Sequence, residues 1–207
     1  MEQQHRQQGP EPGAAPAWGL VLAGGVSRRM GSDKGGLDYH GVPQAVWLWR
    51  QLDEVCERAY VSVNAGQQFC APYVDLPMIT DEITPVGPAT GLVSAWTAFP
   101  RAAWLVVAVD MPFLDLATLR GLITGRCPTG LATVFQHPDG TLEPLCAIWE
   151  AAARPALAER IRAGDASLRR CLEEGQVRTL KPPTRQALRS VNSPAEFRDA
   201  RRLLAGS

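Results

Sequence analysis

Apolar runs and polar breaks alternate along this chain in a regular way. Gly19 to Ala23 is a short apolar run that stops at Gly24-Gly25, as a buried strand entering a turn does. A polar, glycine-rich stretch follows to Gly41. Val42, Val46, Trp49, Leu52, Val55 and Cys56 then recur at helical spacing and predict one apolar helix face. Ala59–Val63 reads as the next strand, ending at Asn64, and Val74–Thr80 as a weaker one, ending at Asp81. Gly87 to Gly91 leads into a short helix that runs to Phe99. Trp104–Val109 is the strongest strand pattern and ends at Asp110; a helix over about 116–123 comes next.

Strand, loop and helix in this order, with continuously apolar strands, predict a parallel sheet covered on both faces. The expected class is therefore α/β, a Rossmann-like three-layer sandwich with a mostly parallel sheet and helices on both faces. Ligands of such sheets bind beyond the carboxyl ends of the strands. That rule brings residues 24–34, Asn64, Asp81 and Asp110 onto one rim, from four separate strand ends.

Beyond residue 126 the pattern changes. Leu131–Phe135 and Leu142–Trp149 flank His137-Pro-Asp-Gly140, a hairpin signal. Helices are expected over 154–163 and 167–174, and Ser193-Pro194 opens a terminal helix with Ser193 as N-cap. No linker divides the chain. Residues 1–17, rich in Gln, Pro, Gly and Ala, read as a disordered tail before a single domain at 18–207.

Composition narrows the function classes. The 207 residues carry 21 Lys+Arg and 21 Asp+Glu, with 45% hydrophobic and 20% charged residues. This describes a globular protein with a sizeable core and argues against a bulk polyanion or nucleic-acid binder. The tryptophans at 47, 49, 96 and 104 fall in apolar element patterns and are expected in the core. No apolar run approaches the ~20 residues that cross a membrane. Five scattered cysteines form no metal or redox spacing, and the amino terminus lacks a signal-peptide pattern, so a reduced, cytoplasmic protein is expected. The zero net charge hides a division: residues 1–150 sum to −6 and residues 151–207 to +6.

The segment Leu22-Ala-Gly-Gly-Val-Ser-Arg-Arg-Met-Gly-Ser-Asp-Lys34 carries the most chemistry. Gly24 and Gly25 let backbone amides approach an anion, and Arg29 and Lys34 add a fork and a point charge suited to nucleotide phosphates. Lys34 is one of only two lysines. The segment is neither a Walker A loop nor a G-x-G-x-x-G fingerprint. It also reads as an ordinary strand-to-helix connection with solvated cations. Asp110 is placed to hold Mg²⁺ against phosphates, or to cap the following turn. Asn64 and Asp81 carry the same two readings. The histidines (His5, His40, His137) are isolated, and no nucleophile–base set is present.

Taken in order, these pieces resemble the nucleotidyltransferases related to molybdenum cofactor guanylyltransferase. The match rests on Leu-Ala-Gly-Gly-x-Ser-x-Arg-Met-Gly-x-Asp-Lys at 22–34, Val63-Asn64, Asp81, Gly-Pro-x-x-Gly at 87–91 and Asp110-Met-Pro112. Glu143-Pro144-Leu145 and Val-Asn-Ser-Pro at 191–194 complete it. The resemblance implies transfer of GMP from GTP to the terminal phosphate of molybdenum-molybdopterin, with Mg²⁺ as cofactor on Asp110. Arg29, Lys34 and Asp110 would be catalytic. Leu22, Ala23, Gly24, Gly25, Lys34, Asn64, Asp81, Gly91, Asp110 and Asn192 would bind substrate. Residues 18–125 would form the nucleotide-binding part and 126–207 the acceptor-binding part, with room for proteins that deliver molybdopterin or receive the product. Two departures stand out: Ala89-Thr90 where the family has Leu-Ala, and Ser190 where it often has Asn. Cytidylyl transfer, nucleotidyl transfer to a sugar phosphate, and a silent nucleotide-binding module are the rival readings.

Overall fold

A computed structural model describes residues 15–24, 33–81 and 87–206. Seven strands form one sheet: β1 (Ala17–Leu22), β2 (Ala59–Val63), β3 (Met78–Thr80), β4 (Ala103–Ala108), β5 (Ala132–Gln136), β6 (Leu142–Trp149) and β7 (Val177–Leu180). Their spatial order is β3-β2-β1-β4-β6-β5-β7. Pairs β1–β2, β1–β4, β2–β3 and β5–β7 are parallel, whereas β6 runs antiparallel to both β4 and β5. The expected α/β sandwich with a mostly parallel sheet is what the chain forms.

The helices are α1 (Gln44–Val55), α2 (Ala89–Ala98), α3 (Leu116–Gly125), α4 (Ala153–Arg162), α5 (Leu168–Glu174) and α6 (Pro194–Ala205). Leu48 and Leu52 of α1 and Leu119 and Leu122 of α3 pack with Val21, Val61, Leu105 and Val107 on one face of the sheet. Leu92 and Trp96 of α2, Leu157 of α4 and Leu172 of α5 cover Leu20, Trp104, Val106 and Val134 on the other. Every residue of β4 is buried, as a central strand covered on both faces requires. Trp96 and Trp104 are fully buried; Trp47 and Trp49 are half-covered at the edge of the core.

Several local expectations shift. The helical stripe on α1 is rotated: Gln44, Ala45, Leu48 and Leu52 are buried, and of the expected stripe only Leu52 is fully covered. Tertiary contacts decide this, because the Gln44 amide reaches the Met111 carbonyl at 3.3 Å and the Trp49 indole N–H reaches the Ala59 carbonyl at 3.0 Å. The strand expected over 74–80 shrinks to Met78–Thr80. Val74 lies exposed, and residues 67–76 close a series of turns (Tyr73 N–H to Cys70 O, Leu76 N–H to Tyr73 O). β1 takes in Ala17, which the sequence pattern left in the tail. β7, an edge strand, had no clear signal. Ser193 does cap α6, its hydroxyl accepting from Glu196 N–H, with Pro194 at the first position. Residues 1–14 lie outside the described residues. Among the described residues, no helix is long and apolar enough to cross a membrane, and the cysteines form no disulfide.

Candidate active site

The order of the strands reverses between β1 and β4, and at such a switch point the loops leaving neighbouring strands diverge and leave a crevice. Backbone ladders extend each strand a residue past its end: Ala23 N–H to Ser62 O, Asp81 N–H to Val63 O, Val109 N–H to Leu22 O. A cavity of about 600 Å³ opens there. Its floor is Leu22, Ala23, Gly24, Ala108 and Val109; Asn64 and Asp81 stand on one side, Lys34 and Asp110 on another, and Gly87 to Gly91 and Leu145 wall it. Of the residues the strand-end rule brings to one rim, Gly24, Lys34, Asn64, Asp81 and Asp110 line this cavity, and Leu22, Ala23 and Gly91, expected from the resemblance, line it with them. Gly25 and Arg29 lie outside the described residues.

Asp110 does not cap the turn after β4. The capping carboxylate nearby is Asp115, the N-cap of α3, which accepts from Thr118 N–H at 2.8 Å. Instead, Asp110 Oδ2 accepts from Lys34 Nζ at 3.0 Å, and Lys34 Nζ also donates to Asn192 Oδ1 at 2.6 Å. Both partners of the ion pair are largely shielded, at 16% and 19% side-chain exposure, so it is screened less than a surface pair. The terminal segment is fixed beside them because Val191 N–H donates to the Asp110 carbonyl at 2.8 Å. Asn192 thus joins the site from the far end of the chain.

Asp110 Oδ1 is buried with no hydrogen-bond partner among the described residues. An orphaned carboxylate oxygen at a cavity is what a bound cation would satisfy, and Mg²⁺ usually takes one or two protein carboxylates and fills its shell with water and phosphate. Among the described residues no group of three or more His, Cys, Asp or Glu side chains forms a metal cage. The donor set therefore fits Mg²⁺ held through Asp110 and a phosphorylated substrate.

Across the cavity, Asp81 accepts from the Ser62 hydroxyl at 2.9 Å. Burial raises its pKa above the ordinary carboxylate value, with hydroxyl hydrogen bonds pulling the other way. A Cβ on Gly24 would sit 2.6 Å from Asp81 Oδ2, so any other residue must push aside the carboxylate that Ser62 holds. Asn64, expected to meet the nucleotide, donates its amide to Gly24 O at 3.3 Å and accepts from Gly66 N–H at 2.9 Å. It braces the strand end as well as facing the cavity. His40 is no free base: its Nε2–H donates to the Pro112 carbonyl at 2.9 Å, its ring stacks on Trp47, and burial lowers its pKa. His137 sits in the hairpin turn beside Glu143.

Sequence reasoning missed three residues that shape the site. Gln67 and Tyr73 hold Asp33, the residue before Lys34, and nothing in the local sequence marks them. Leu145 enters the wall because β6 bulges: Val134 pairs with Ala147, but Phe135 pairs with Glu143. The Glu143 carboxylate accepts from Leu145 N–H at 2.9 Å and the Trp149 indole donates to the Pro144 carbonyl at 3.1 Å, so the bulge is pinned from both sides. The Glu-Pro-Leu tripeptide was its visible signal.

Residues 19–180 match the MobA-like NTP transferase domain. The chain belongs to that family. It is a nucleotidyltransferase of the molybdenum cofactor biosynthesis group by its relatives. A probable molybdenum cofactor guanylyltransferase from Opitutus terrae is 33% identical over 192 residues, covering 89% of this chain and 94% of that protein. The molybdenum cofactor guanylyltransferase of Cereibacter sphaeroides is 32% identical, covering 90% and 96%. A molybdenum cofactor biosynthesis bifunctional protein from Synechocystis is 29% identical over 88% of this chain, which spans 53% of that longer protein. Among solved structures, molybdopterin-guanine dinucleotide biosynthesis protein A from Archaeoglobus fulgidus superposes with a TM-score of 0.76 at 22% identity, covering 91% of this chain and 99% of that one. The 2-C-methyl-D-erythritol 4-phosphate cytidylyltransferase of Thermus thermophilus gives 0.60 at 18% identity, covering 91% and 99%. At such identities the likeness concerns the fold, which the MobA-like family shares with a transferase of a different nucleotide.

Proposed function

We propose that this chain transfers GMP from GTP to the terminal phosphate of molybdenum-molybdopterin, giving the guanine dinucleotide form and pyrophosphate. The observation that carries the reading is the meeting of Lys34, Asp110 and Asn192 at the switch-point cavity of a chain whose full-length relatives bear the guanylyltransferase name.

An oxygen of the acceptor phosphate attacks the α-phosphorus of GTP, and the bond from that phosphorus to the bridging oxygen breaks as pyrophosphate leaves. The attacking oxygen is already anionic at neutral pH, so no general base is needed. This agrees with a cavity whose lining holds no histidine among the described residues and with His40 tied to a backbone carbonyl. What such a reaction requires is alignment and charge neutralisation. Asp110 is the residue to hold Mg²⁺, which when bound supplies positive charge to the phosphates. Lys34 has one ammonium proton beyond its two contacts and reaches the same place, where it holds the triphosphate and the departing pyrophosphate. Gly24 leaves backbone exposed at the cavity floor. In this reading Asp81, a half-buried acceptor, meets the N–H edge of the base, and Asn64 the ribose. Arg29 and Gly25 complete the phosphate loop in this reading. Asn192, hydrogen-bonded to Lys34, is the residue assigned to the phosphorylated pterin.

Pyrophosphate release tests the assignment when the protein is given each of the four NTPs with Mg²⁺ and molybdenum-molybdopterin. Turnover with GTP alone is expected. Turnover with CTP in place of GTP overturns the base, and binding without turnover leaves only a nucleotide-binding module.

A further inference from the structure

The two ends of the phosphate loop are tied together by residues from a different loop. One end is Ala23-Gly24, after β1; the other is Asp33-Lys34, where a short 3₁₀ turn (Lys34–Gly36) begins. Gln67, in the loop after β2, donates from one amide nitrogen to both: to Ala23 O at 3.1 Å and to Asp33 Oδ2 at 2.8 Å. Its carbonyl oxygen accepts from Asn64 N–H at 3.0 Å, which fixes the amide's orientation. Tyr73, fully buried, donates its hydroxyl to Asp33 Oδ1 at 2.7 Å. Asp33 Oδ1 also caps the turn by accepting from Gly35 N–H at 2.9 Å. The packing here is tight, because a Cβ on Gly35 would lie 2.0 Å from the Tyr73 hydroxyl. Asp33 therefore has both oxygens occupied by neighbours that lie outside the loop motif, and the turn it caps begins at Lys34.

We infer that Gln67 and Tyr73 are positioning residues for the transfer reaction, acting through Asp33 to hold Lys34 where the nucleotide's phosphates meet Asp110. The inference rests on the nucleotidyltransferase reading above. Both act at one remove from the phosphates: Gln67 sets the distance between the loop ends, and Tyr73 fixes Asp33. Hydrogen bonds to a carboxylate are stronger than neutral ones, so their loss is felt at Lys34. The effect belongs to triphosphate recognition and not to the base.

The test uses Tyr73→Phe, Gln67→Met and Gln67→Glu in the full chain. Tyr73→Phe keeps the buried ring and removes only the hydroxyl. Gln67→Glu keeps the shape but cannot donate, and sets a carboxylate against Asp33. In the ligand-free protein, amide hydrogen exchange at Gly35 to Leu37 should speed up in all three. GTP affinity should fall about tenfold in Tyr73→Phe and Gln67→Met and further in Gln67→Glu, while GMP affinity changes little in Tyr73→Phe, which leaves Asn64 its partner. Placed on a Lys34→Ala background, the same substitutions should add almost nothing, because they act through that lysine. Unchanged exchange, equal loss of GTP and GMP in Tyr73→Phe, or full additivity with Lys34→Ala overturns the inference. A near-wild-type Gln67→Glu also overturns it, since simple space filling predicts that result. A wild-type chain that binds none of the four NTPs defeats the transferase reading instead, and the exchange measurement then still decides the role of the two residues.

Discussion

Lys34 and Asp110, 76 residues apart in the chain, meet at 3.0 Å in the cavity of the MobA-like domain. In the absence of ligand, the ammonium occupies one oxygen of the carboxylate proposed to carry Mg²⁺, so lysine and metal compete for the same negative charge. Lys34→Met should therefore raise the affinity for Mg²⁺ alone roughly tenfold, the scale of a partly buried ion pair, while weakening GTP binding more than GMP binding. Titration calorimetry with the metal and with each nucleotide reads both effects. Metal affinity that stays the same or falls in the variant would show that Lys34 does not mask Asp110. Asp110→Ala should keep its fold and lose about 10²–10³ in Mg²⁺-dependent transfer.

Asp81 links the site to pH. Burial holds its folded pKa above the ordinary value of 3.8. A carboxyl raised in this way favours folding when neutral; that contribution is complete below the unfolded pKa and is lost as pH rises through the folded one. Asp81→Asn lacks the titration. The melting temperature of wild type minus that of Asp81→Asn should thus decrease as pH climbs from about 3.8 through the raised value. Nucleotide affinity should move the other way, weakening on acidification as Asp81 gains its proton. A melting difference that is flat with pH rules out a raised Asp81.

Gly24 passes so close to Asp81 that a methyl group there meets Oδ2 at 2.6 Å. Gly24→Ala should cost about 1–3 kcal/mol of stability, the range for forced overpacking. Adding Asp81→Ala should return most of that stability without restoring nucleotide binding. Denaturant melts of the two single variants and the double variant measure the cycle, and simple additivity would mean that the contact is not the cause.

At the opposite end of the sheet, Arg126 grips Glu150 through two bonds of 2.7 and 2.8 Å, with both side chains more than nine-tenths buried, and also reaches the Ala15 carbonyl at 2.7 Å. Removing only the cation strands a buried carboxylate. Arg126→Met should destabilise by about 3–5 kcal/mol, and Arg126→Met with Glu150→Leu should recover most of the loss. Catalysis per folded molecule should not change. Chemical denaturation checks the first statement, and turnover normalised to folded protein the second.

The outline of the fold was legible because a strand buried on both faces must be apolar along its whole length, as β4 is, and because turn residues punctuate the chain. The same pattern placed Asn64, Asp81 and Asp110 at strand ends before any geometry was known. The stripe on α1 misled, since spacing alone does not reveal that Gln44 finds a buried carbonyl at Met111 and that large tryptophans settle at the rim of the core. β3 came out short because the residues before it close turns, Leu76 N–H reaching Tyr73 O, and only Met78 to Thr80 align with Val61 to Val63 of β2. The edge strand β7, with Arg178 and Thr179 exposed, carries too little apolar pattern to be seen.

By itself, then, the sequence determined the α/β class, the rim at which the cavity opens and the identities of the charged groups there, because these follow from periodicity and from residue chemistry. Only the tertiary structure decided the pairings. Lys34 on Asp110 and Asn192, Gln67 across Ala23 and Asp33, and Leu145 in the wall each join segments that are distant in the chain. Such contacts arise from how sheet order and loop packing bring strand ends together in space, and no local pattern encodes them.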